Sequence, residues 1–400
     1  MFNYETEVQT QLRSSIRALM QKHLARFDRP ETYGTVPREL FSLIAELGLA
    51  GLSIPEQFGG TEADPITSML AVEELAYANL GPAIFTCVHS MVAGLINSHG
   101  TELQKTEFLP YMASGKWLGA FALTEPQAGS DASALKTSAT ADGSDYLLNG
   151  EKCYITSAGS ADVYLVFART GDSNEHSSTG SKGISCFIVS SSAPGIVIAS
   201  PDHKMGCELS PIASVTFDAV RVPATAMLGT KNNGYAVALS GLAGGRVSIA
   251  ACANGVARHA LDIALAAVRE RRQFGAEIGS FQGIQFMIAD LVMLLEAAEL
   301  LTYQAAIEME RAGLAPKSST ANSIRTVSAR ASMAKCFATD AAMRITTDAV
   351  QLLGGAGYIK DYVVERLMRD AKMLQIVEGT NQIQRWVIGR ELVKGALVCQ

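Results

Sequence analysis

Apolar positions recur along this chain with two periods. Up to about residue 117 they return every three or four positions, the spacing of a helix face. MFNYETEVQTQLRSSIRALMQKH reads as one amphipathic helix, and PITSMLAVEELAYANLGPAIFTCVHSMVAGLINSHG as helical segments broken at Gly81-Pro82 and Gly100. From about 118 to 228 the texture changes to short runs rich in Val, Ile, Tyr and Thr. DYLLNG, DVYLVFAR, GISCFIVS, GIVIAS and SVTFDAVRV are set apart by Gly, Pro, Asp and Ser, as strands joined by turns. After Gly234 the helical period returns in YAVALSGLAGGRVSIAACANGVARHALDIALAAVRERRQF. Its small residues, Gly244, Gly245, Ala250, Ala251, Ala253, Gly255 and Ala257, predict close helix packing. The order predicts an α+β chain of three domains, 1–117, 118–228 and 229–400, and not the alternating βα pattern of a doubly wound sheet. GDSNEHSSTGSKG (171–183) and APKSSTANS (315–323) read as exposed connections.

Composition narrows the class. Four hundred residues, 48% hydrophobic and 18% charged, predict more than one large core. The net charge of −6 lacks the basic excess that a nucleic-acid backbone calls for. Seven cysteines stand far apart without a CxxC pair, which suits buried thiols in a reducing compartment. Six histidines form no HExxH or His/Cys cluster, so no metal site is expected. No apolar run looks long enough to span a membrane, and the N-terminus lacks the pattern of a secretory signal. The expected location is the cytoplasm, or the mitochondrial matrix in a eukaryote.

One stretch poses a chemical question. In QIVEGTNQIQRWVIGREL, Glu378 stands between Val377 and Gly379 just ahead of a helical pattern. An ordinary helix start would explain it: Asn381 caps, Gln384 completes a capping box, and a carboxylate suits the positive end of the helix dipole. Elsewhere FALTEPQAGSD (121–131) runs from a strand into a Gly129-Ser130-Asp131 turn, whose amides and hydroxyls suit a planar polar ligand or a phosphate. EKCYITSAG (151–159) repeats the type and ends in Thr156-Ser157. RRQFG (271–275) puts two arginines and a phenylalanine at a helix end. QLLGGAGY (351–358) places two glycines after a helix, either as a plain stop or where a pyrophosphate approaches the backbone. None of these matches a Walker loop or GxGxxG.

Taken together and in this order, these stretches resemble the acyl-CoA dehydrogenase family of flavoenzymes. The resemblance runs from GLAGLSIPEQFGG (48–60) through FALTEPQAGSD, KCYITSAG, KMG (204–206), RRQFG, QLLGGAGY and LMRDAK (367–372) to VEGTNQIQR (377–385), essentially the whole chain. GLAGGRVSIAAC (241–252) and SMAKCFATD (332–340) look most like short branched-chain members, such as the isobutyryl-CoA dehydrogenases. The resemblance implies an N-terminal helical domain, a middle antiparallel β-domain and a C-terminal four-helix bundle. It also implies FAD held between the last two, usually in a homotetramer.

Carried over residue by residue, Phe121, Leu123, Thr124, Gly129 and Ser130 would line the flavin. Tyr154, Ile155 and Thr156 would meet its ring from the other strand, with Tyr154 where the family usually has Trp. Arg271, Gln273, Phe274, Gln282, Gln351, Gly354 and Gly355 would reach a neighbouring subunit's FAD, and Thr380 and Gln382 would bind FAD beside the catalytic loop. Ser130, Arg246 and Gly379 fall on the acyl-CoA side, with Arg246 orienting the glutamate loop or, alternatively, sitting in a buried salt bridge.

The resemblance gives Glu378 its second reading, as the base that removes the α-proton of an acyl thioester while a hydride leaves Cβ for the flavin. Such a base needs the raised proton affinity of an apolar setting. Some relatives carry the base immediately before the arginine, where this chain has Gly245, so Glu378 has no rival there. Ala243 replaces an acidic residue that helps hold the CoA arm in many straight-chain members. Gly244-Gly245 is expected to leave room for a branched acyl group. Electrons would pass to an electron-transferring flavoprotein. Two other readings keep the scaffold: an acyl-CoA oxidase or flavin monooxygenase, and a flavin-bearing nucleic-acid-binding protein, which the negative charge disfavours.

Overall fold

The structure, a computed structural model, describes residues 5–171, 180–313 and 321–396. Residues 172–179 and 314–320, which hold most of the two expected connections, lie outside the described residues. Five helices come first: α1 (Glu7–His23), α2 (Arg38–Glu46), α3 (Pro65–Ala78), α4 (Leu80–His99) and α5 (Glu102–Ala113). A capping box of Thr6 and Gln9 starts α1, and Pro65 opens α3 where a missing N–H costs nothing.

Eight strands follow in one sheet. They are β1 (Gly119–Ala122), β2 (Ser138–Asp142), β3 (Asp145–Thr156), β4 (Val163–Arg169), β5 (Ile184–Ser190), β6 (Ile196–Ile198), β7 (Ile212–Pro223) and β8 (Met227–Leu228). Their spatial order is β6-β7-β3-β2-β4-β5-β8, with β1 beside β4. Most pairs are antiparallel, as expected, but β1 and β2 run parallel to β4, so the sheet is mixed. DYLLNG and EKCYIT, which read as two strands, are one: β3 continues through Asn149-Gly150 by shifting register against β7. In β4 and β5 successive side chains are buried, so this part of the sheet is covered on both faces.

The last part holds α6 (Gly234–Glu270), a small hairpin of β9 (Arg272–Gln273) and β10 (Ala276–Glu277), then α7 (Gln282–Arg311), α8 (Ala321–Leu353), α9 (Val363–Leu374) and α10 (Asn381–Val393). Helices α6, α7 and α10 all pack on α8. The small residues of α6 do what their size predicts. At Gly255 the helix comes so close to α3 that a Cβ would stand 2.2 Å from the Glu73 carbonyl. Arg258 of α6, with Arg13 and Arg17 of α1, closes a network of ion pairs of 2.5–3.1 Å on Glu73 and Glu74 of α3. One expectation needs correction. By length and composition α4 and α6 are apolar enough to cross a membrane, yet 67% and 50% of their most apolar stretches are buried inside the fold, which makes them core helices.

Candidate active site

The segment between α9 and α10 makes an unusual turn. Glu378 has φ 56° and Gly379 φ 92°, both left-handed. Glycine adopts that conformation freely, whereas a residue with a Cβ is strained by about 1–3 kcal/mol and needs its surroundings to hold it. Buried donors do so through the carbonyls. Gln384 Nε2 donates to the carbonyls of Glu378 (3.0 Å) and Gly379 (2.8 Å). Lys335 Nζ, from the core of α8, donates to the Gly379 carbonyl (2.9 Å) and to Asn381 Oδ1 (2.8 Å). Asn381 Nδ2 in turn donates to Thr339 Oγ1 (2.9 Å) and Asp340 Oδ1 (2.7 Å). This replaces the expected capping box. Thr380 is the cap, its hydroxyl accepting from the Ile383 amide, while Asn381 is the first helical residue and Gln384 turns back to carbonyls rather than to an amide.

The Glu378 carboxylate rests on the backbone of α6. A Cβ added to Gly245 would lie 2.7 Å from its Oε2 and 3.0 Å from Oε1, so glycine here makes the seat of the carboxylate. That corrects the expectation at Gly245, whose missing Cβ does not open space for an acyl branch. The space beside Gly245 belongs to Glu378, and that beside Gly244 faces the Met309 methyl at 3.6 Å. Glu378 as a residue is half-buried, but its Oε2 is buried and has no hydrogen-bond partner among the described residues. Burial pushes the carboxyl up to about 7, against the opposing pull of Arg246 and Lys335. Arg246 is buried, donates Nη1 to Ser332 Oγ at 3.4 Å, and leaves Nε unpartnered. Among the described residues it has no carboxylate within 4 Å, so the alternative of a buried salt bridge is not realised. Arg246 acts on Glu378 across space.

The ends of β1 and β3 meet. The Cys153 amide donates to the Thr124 carbonyl (3.0 Å), and Lys152 Nζ to the Leu123 carbonyl (3.0 Å) and Glu125 Oε1 (2.8 Å). Glu125 also accepts from the amides of Lys136 (2.6 Å) and Thr137 (2.9 Å), the Thr137 hydroxyl and Gln127 Nε2 (2.6 Å). Burial alone would raise this carboxyl, but Lys152 and the hydrogen bonds outweigh it and hold it at about 2. Leu123 and Ile155 are buried, and the Phe121 ring packs on Phe167 at 4.9 Å. Open to a ligand are half-buried Thr124 and Thr156, exposed Gly129 and Ser130, and Tyr154, which is 66% exposed with φ 57° at a shift in register. Beside Thr156, the buried Ser157 hydroxyl lacks a partner among the described residues.

A third group forms a surface of its own. Arg271 Nη1 donates to the Leu353 carbonyl (2.7 Å), joining RRQFG to the turn at Gly354. Gln273, Gln282, Gln351 and Gly355 are exposed, and Phe274 is 97% exposed. Among the described residues none of them hydrogen-bonds to the Glu378 turn or to the Thr124 turn. Thr380 and Gln382 instead line a cavity of about 520 Å³ with Asp340, Lys372, Asn381 and Arg385; Arg385 is paired with Asp340 at 2.6 Å, which leaves Lys372 as the cation that suits an anionic group. The open hydroxyls and aromatic ring at the β1–β3 junction, the orphaned Ser157 hydroxyl and this cavity fit the polar and phosphate parts of a flavin nucleotide.

Sequence reading missed Lys335, Gln384 as a carbonyl clamp, and the Glu125–Lys152 pair. All lie inside the quoted motifs. Their partners are up to 46 residues away, and only their apolar flanks hinted at burial.

Comparisons with known proteins identify the family of the whole chain. Three family models match in succession: the acyl-CoA dehydrogenase N-terminal domain at 6–116, the middle domain at 120–220 and the C-terminal domain at 232–393. An acyl-CoA dehydrogenase of Bacillus subtilis is 40% identical over 98% of this chain and 99% of its own. A mitochondrial isobutyryl-CoA dehydrogenase of Dictyostelium discoideum is 37% identical, covering 97% and 90%. The solved structure of butyryl-CoA dehydrogenase from Megasphaera elsdenii matches with a TM-score of 0.89 at 39% identity, over 98% of this chain and 100% of that one.

Proposed function

The chain belongs to the acyl-CoA dehydrogenase family of FAD-dependent oxidoreductases, and from that premise we propose that it desaturates the Cα–Cβ bond of a short or short branched-chain acyl-CoA with Glu378 as the base. The observation that carries this reading is the unpartnered Glu378 carboxylate on Gly245, held near neutrality by burial. A carboxylate of that proton affinity removes a weakly acidic α-proton better than an ordinary one, because it binds the proton more tightly yet is substantially ionised at pH 7. Among the described residues the Glu378 amide enters no backbone hydrogen bond, which leaves it available to the thioester oxygen as negative charge develops there. Losing one such donor typically costs about 3 kcal/mol of transition-state stabilisation. Arg246 keeps the carboxylate ionisable in a water-poor setting.

The chemistry FAD would supply when bound is that of a hydride acceptor facing Cβ. Thr124, Gly129, Ser130, Tyr154 and Thr156 would hold FAD from the β-domain, and Thr380 and Gln382 from the start of α10. Arg271, Gln273, Phe274, Gln282, Gln351, Gly354 and Gly355 would serve a neighbouring subunit in a homotetramer. Support for an assembled state is the fully exposed Phe274 and the stripe of exposed Phe286, Met293 and Leu300 along α7. Electrons would leave for an electron-transferring flavoprotein. Support for the short-chain class comes from the similarity to the butyryl-CoA and isobutyryl-CoA dehydrogenases.

The test is anaerobic bleaching of the flavin absorbance by saturated acyl-CoAs from propionyl and isobutyryl to octanoyl. Bleaching by the short or branched members, absent in Glu378→Gln, is the expected result. Bleaching by octanoyl-CoA alone would overturn the substrate class, and bleaching by none of them would overturn the reaction.

A further inference from the structure

Lys335 is a buried cation to which the chemistry above assigns no step. Its side chain is 0% exposed in the core of α8, and among the described residues no carboxylate lies within 4 Å of its ammonium. An ammonium out of water without a counter-ion is unfavourable, so its retention calls for a compensating task. Its hydrogen bonds point to one. It grips the Gly379 carbonyl and Asn381 Oδ1, the two groups that flank the cap of α10, and Asn381 is anchored in turn on Thr339 and Asp340. With Gln384 on the same Gly379 carbonyl, the peptide after Glu378 is fixed from two sides, although Glu378 itself is held in a strained left-handed conformation.

We propose that Lys335 is a positioning residue: from the core of α8 its ammonium holds the Glu378-Gly379 turn in its left-handed shape and supplies a positive charge that keeps the Glu378 carboxylate ionised. The inference rests on Glu378 being the base. The charged and titratable groups around the pair are Arg246 of α6, and Cys336 and Asp340 of α8. Arg246 acts on Glu378 by its charge and, among the described residues, makes no hydrogen bond to the turn. Lys335 does both, joining the shape of the turn to the charge of the base.

The experiment compares wild-type holoenzyme with Lys335→Met, Lys335→Gln and Lys335→Arg, each checked for FAD content and thermal unfolding. The readouts are the rate of anaerobic flavin reduction by butyryl-CoA, its KM, and its pH profile. Lys335→Met is expected to lose about 10²-fold in rate through a displaced base, with KM little changed. Its acid-limb midpoint is expected to move up by about one pH unit, because a cation near a carboxylate is gone. Lys335→Arg should restore the midpoint while recovering only part of the rate. A residue that merely fills space would not move the midpoint. Wild-type rate and midpoint in Lys335→Met, or a slowed enzyme with an unmoved midpoint, would overturn the proposal. If Lys335→Met does not fold, Lys335→Gln decides: it keeps a donor and loses the charge, so its midpoint must still rise. Activity surviving in Glu378→Gln would instead overturn the base assignment, a separate result from an inert Glu378→Gln beside an unaffected Lys335→Met.

Discussion

Glu125 and Glu378 are both carboxylates set in the fold near a buried lysine, and burial lowers both lysines to about 8. The carboxyls nevertheless part company, Glu125 held at about 2 and Glu378 pushed up to about 7. Glu125 meets Lys152 directly and accepts from two amides, a hydroxyl and a side-chain amide. Among the described residues, Glu378 has its lysine on its neighbour's carbonyl, its arginine without a hydrogen bond to it, and an oxygen with no partner. The same two residue types thus make a strut where every lone pair is occupied and a carboxyl of raised proton affinity where one is withheld. The fold supplies the difference by aiming donors at the carboxylate in one case and at the carbonyls behind it in the other.

Removing the acceptor should have the largest effect. Glu378→Gln keeps the shape and loses the base, so the rate of flavin reduction by substrate is expected to fall about 10³- to 10⁴-fold with FAD still bound, as measured by stopped-flow absorbance. Breaking the strut should act on stability instead. Lys152→Met strands a buried carboxylate, and urea unfolding is expected to show a loss of about 3–5 kcal/mol. Filling the seat tests the geometry between them. Gly245→Ala puts a methyl 2.7 Å from Oε2, so the rate should drop about 10²-fold. Thermal stability should hold or rise, since alanine suits a helix better than glycine.

The smallest effect is a stability difference with a definite sign. A folded-state pKa above the unfolded value means that the unfolded chain releases the proton first. Stability from this group is therefore full below about pH 4.5, is lost as pH rises toward about 7, and stays lost above it. Glu378→Gln carries no such loss, so it should exceed wild type at pH 8 by on the order of 1–3 kcal/mol and match it at pH 4. An advantage that shrinks as pH rises would count against the buried, unpaired carboxylate.

The layout of helices, sheet and helices was legible because apolar period is a local property, and the motifs brought Glu378, Thr124 and Thr156 forward as candidates by resemblance. Features that depend on packing were not legible. Asn381 and Gln384 satisfy the letter of a capping box, but Lys335 and Asn381 pack so that the side chains serve carbonyls instead. Gly245 reads as empty space in a sequence, whereas in the fold it is occupied by another segment's carboxylate. The parallel pairing of β1 with β4 is likewise invisible to a two-residue period, which shows alternation without direction. The apolar stretches of α4 and α6 leave their surroundings, lipid or protein, to tertiary structure.

The most direct test of the central claim, that an unpartnered Glu378 is the base, is the pH dependence of flavin bleaching by butyryl-CoA under anaerobic conditions. At low substrate the rate reports the free enzyme. It is predicted to rise with pH through a midpoint near 7 and then level off, and the rise should be lost in Glu378→Gln. A rate that is flat from about pH 5.5 to about 8.5, or a titration that survives in Glu378→Gln, would show that another group takes the proton.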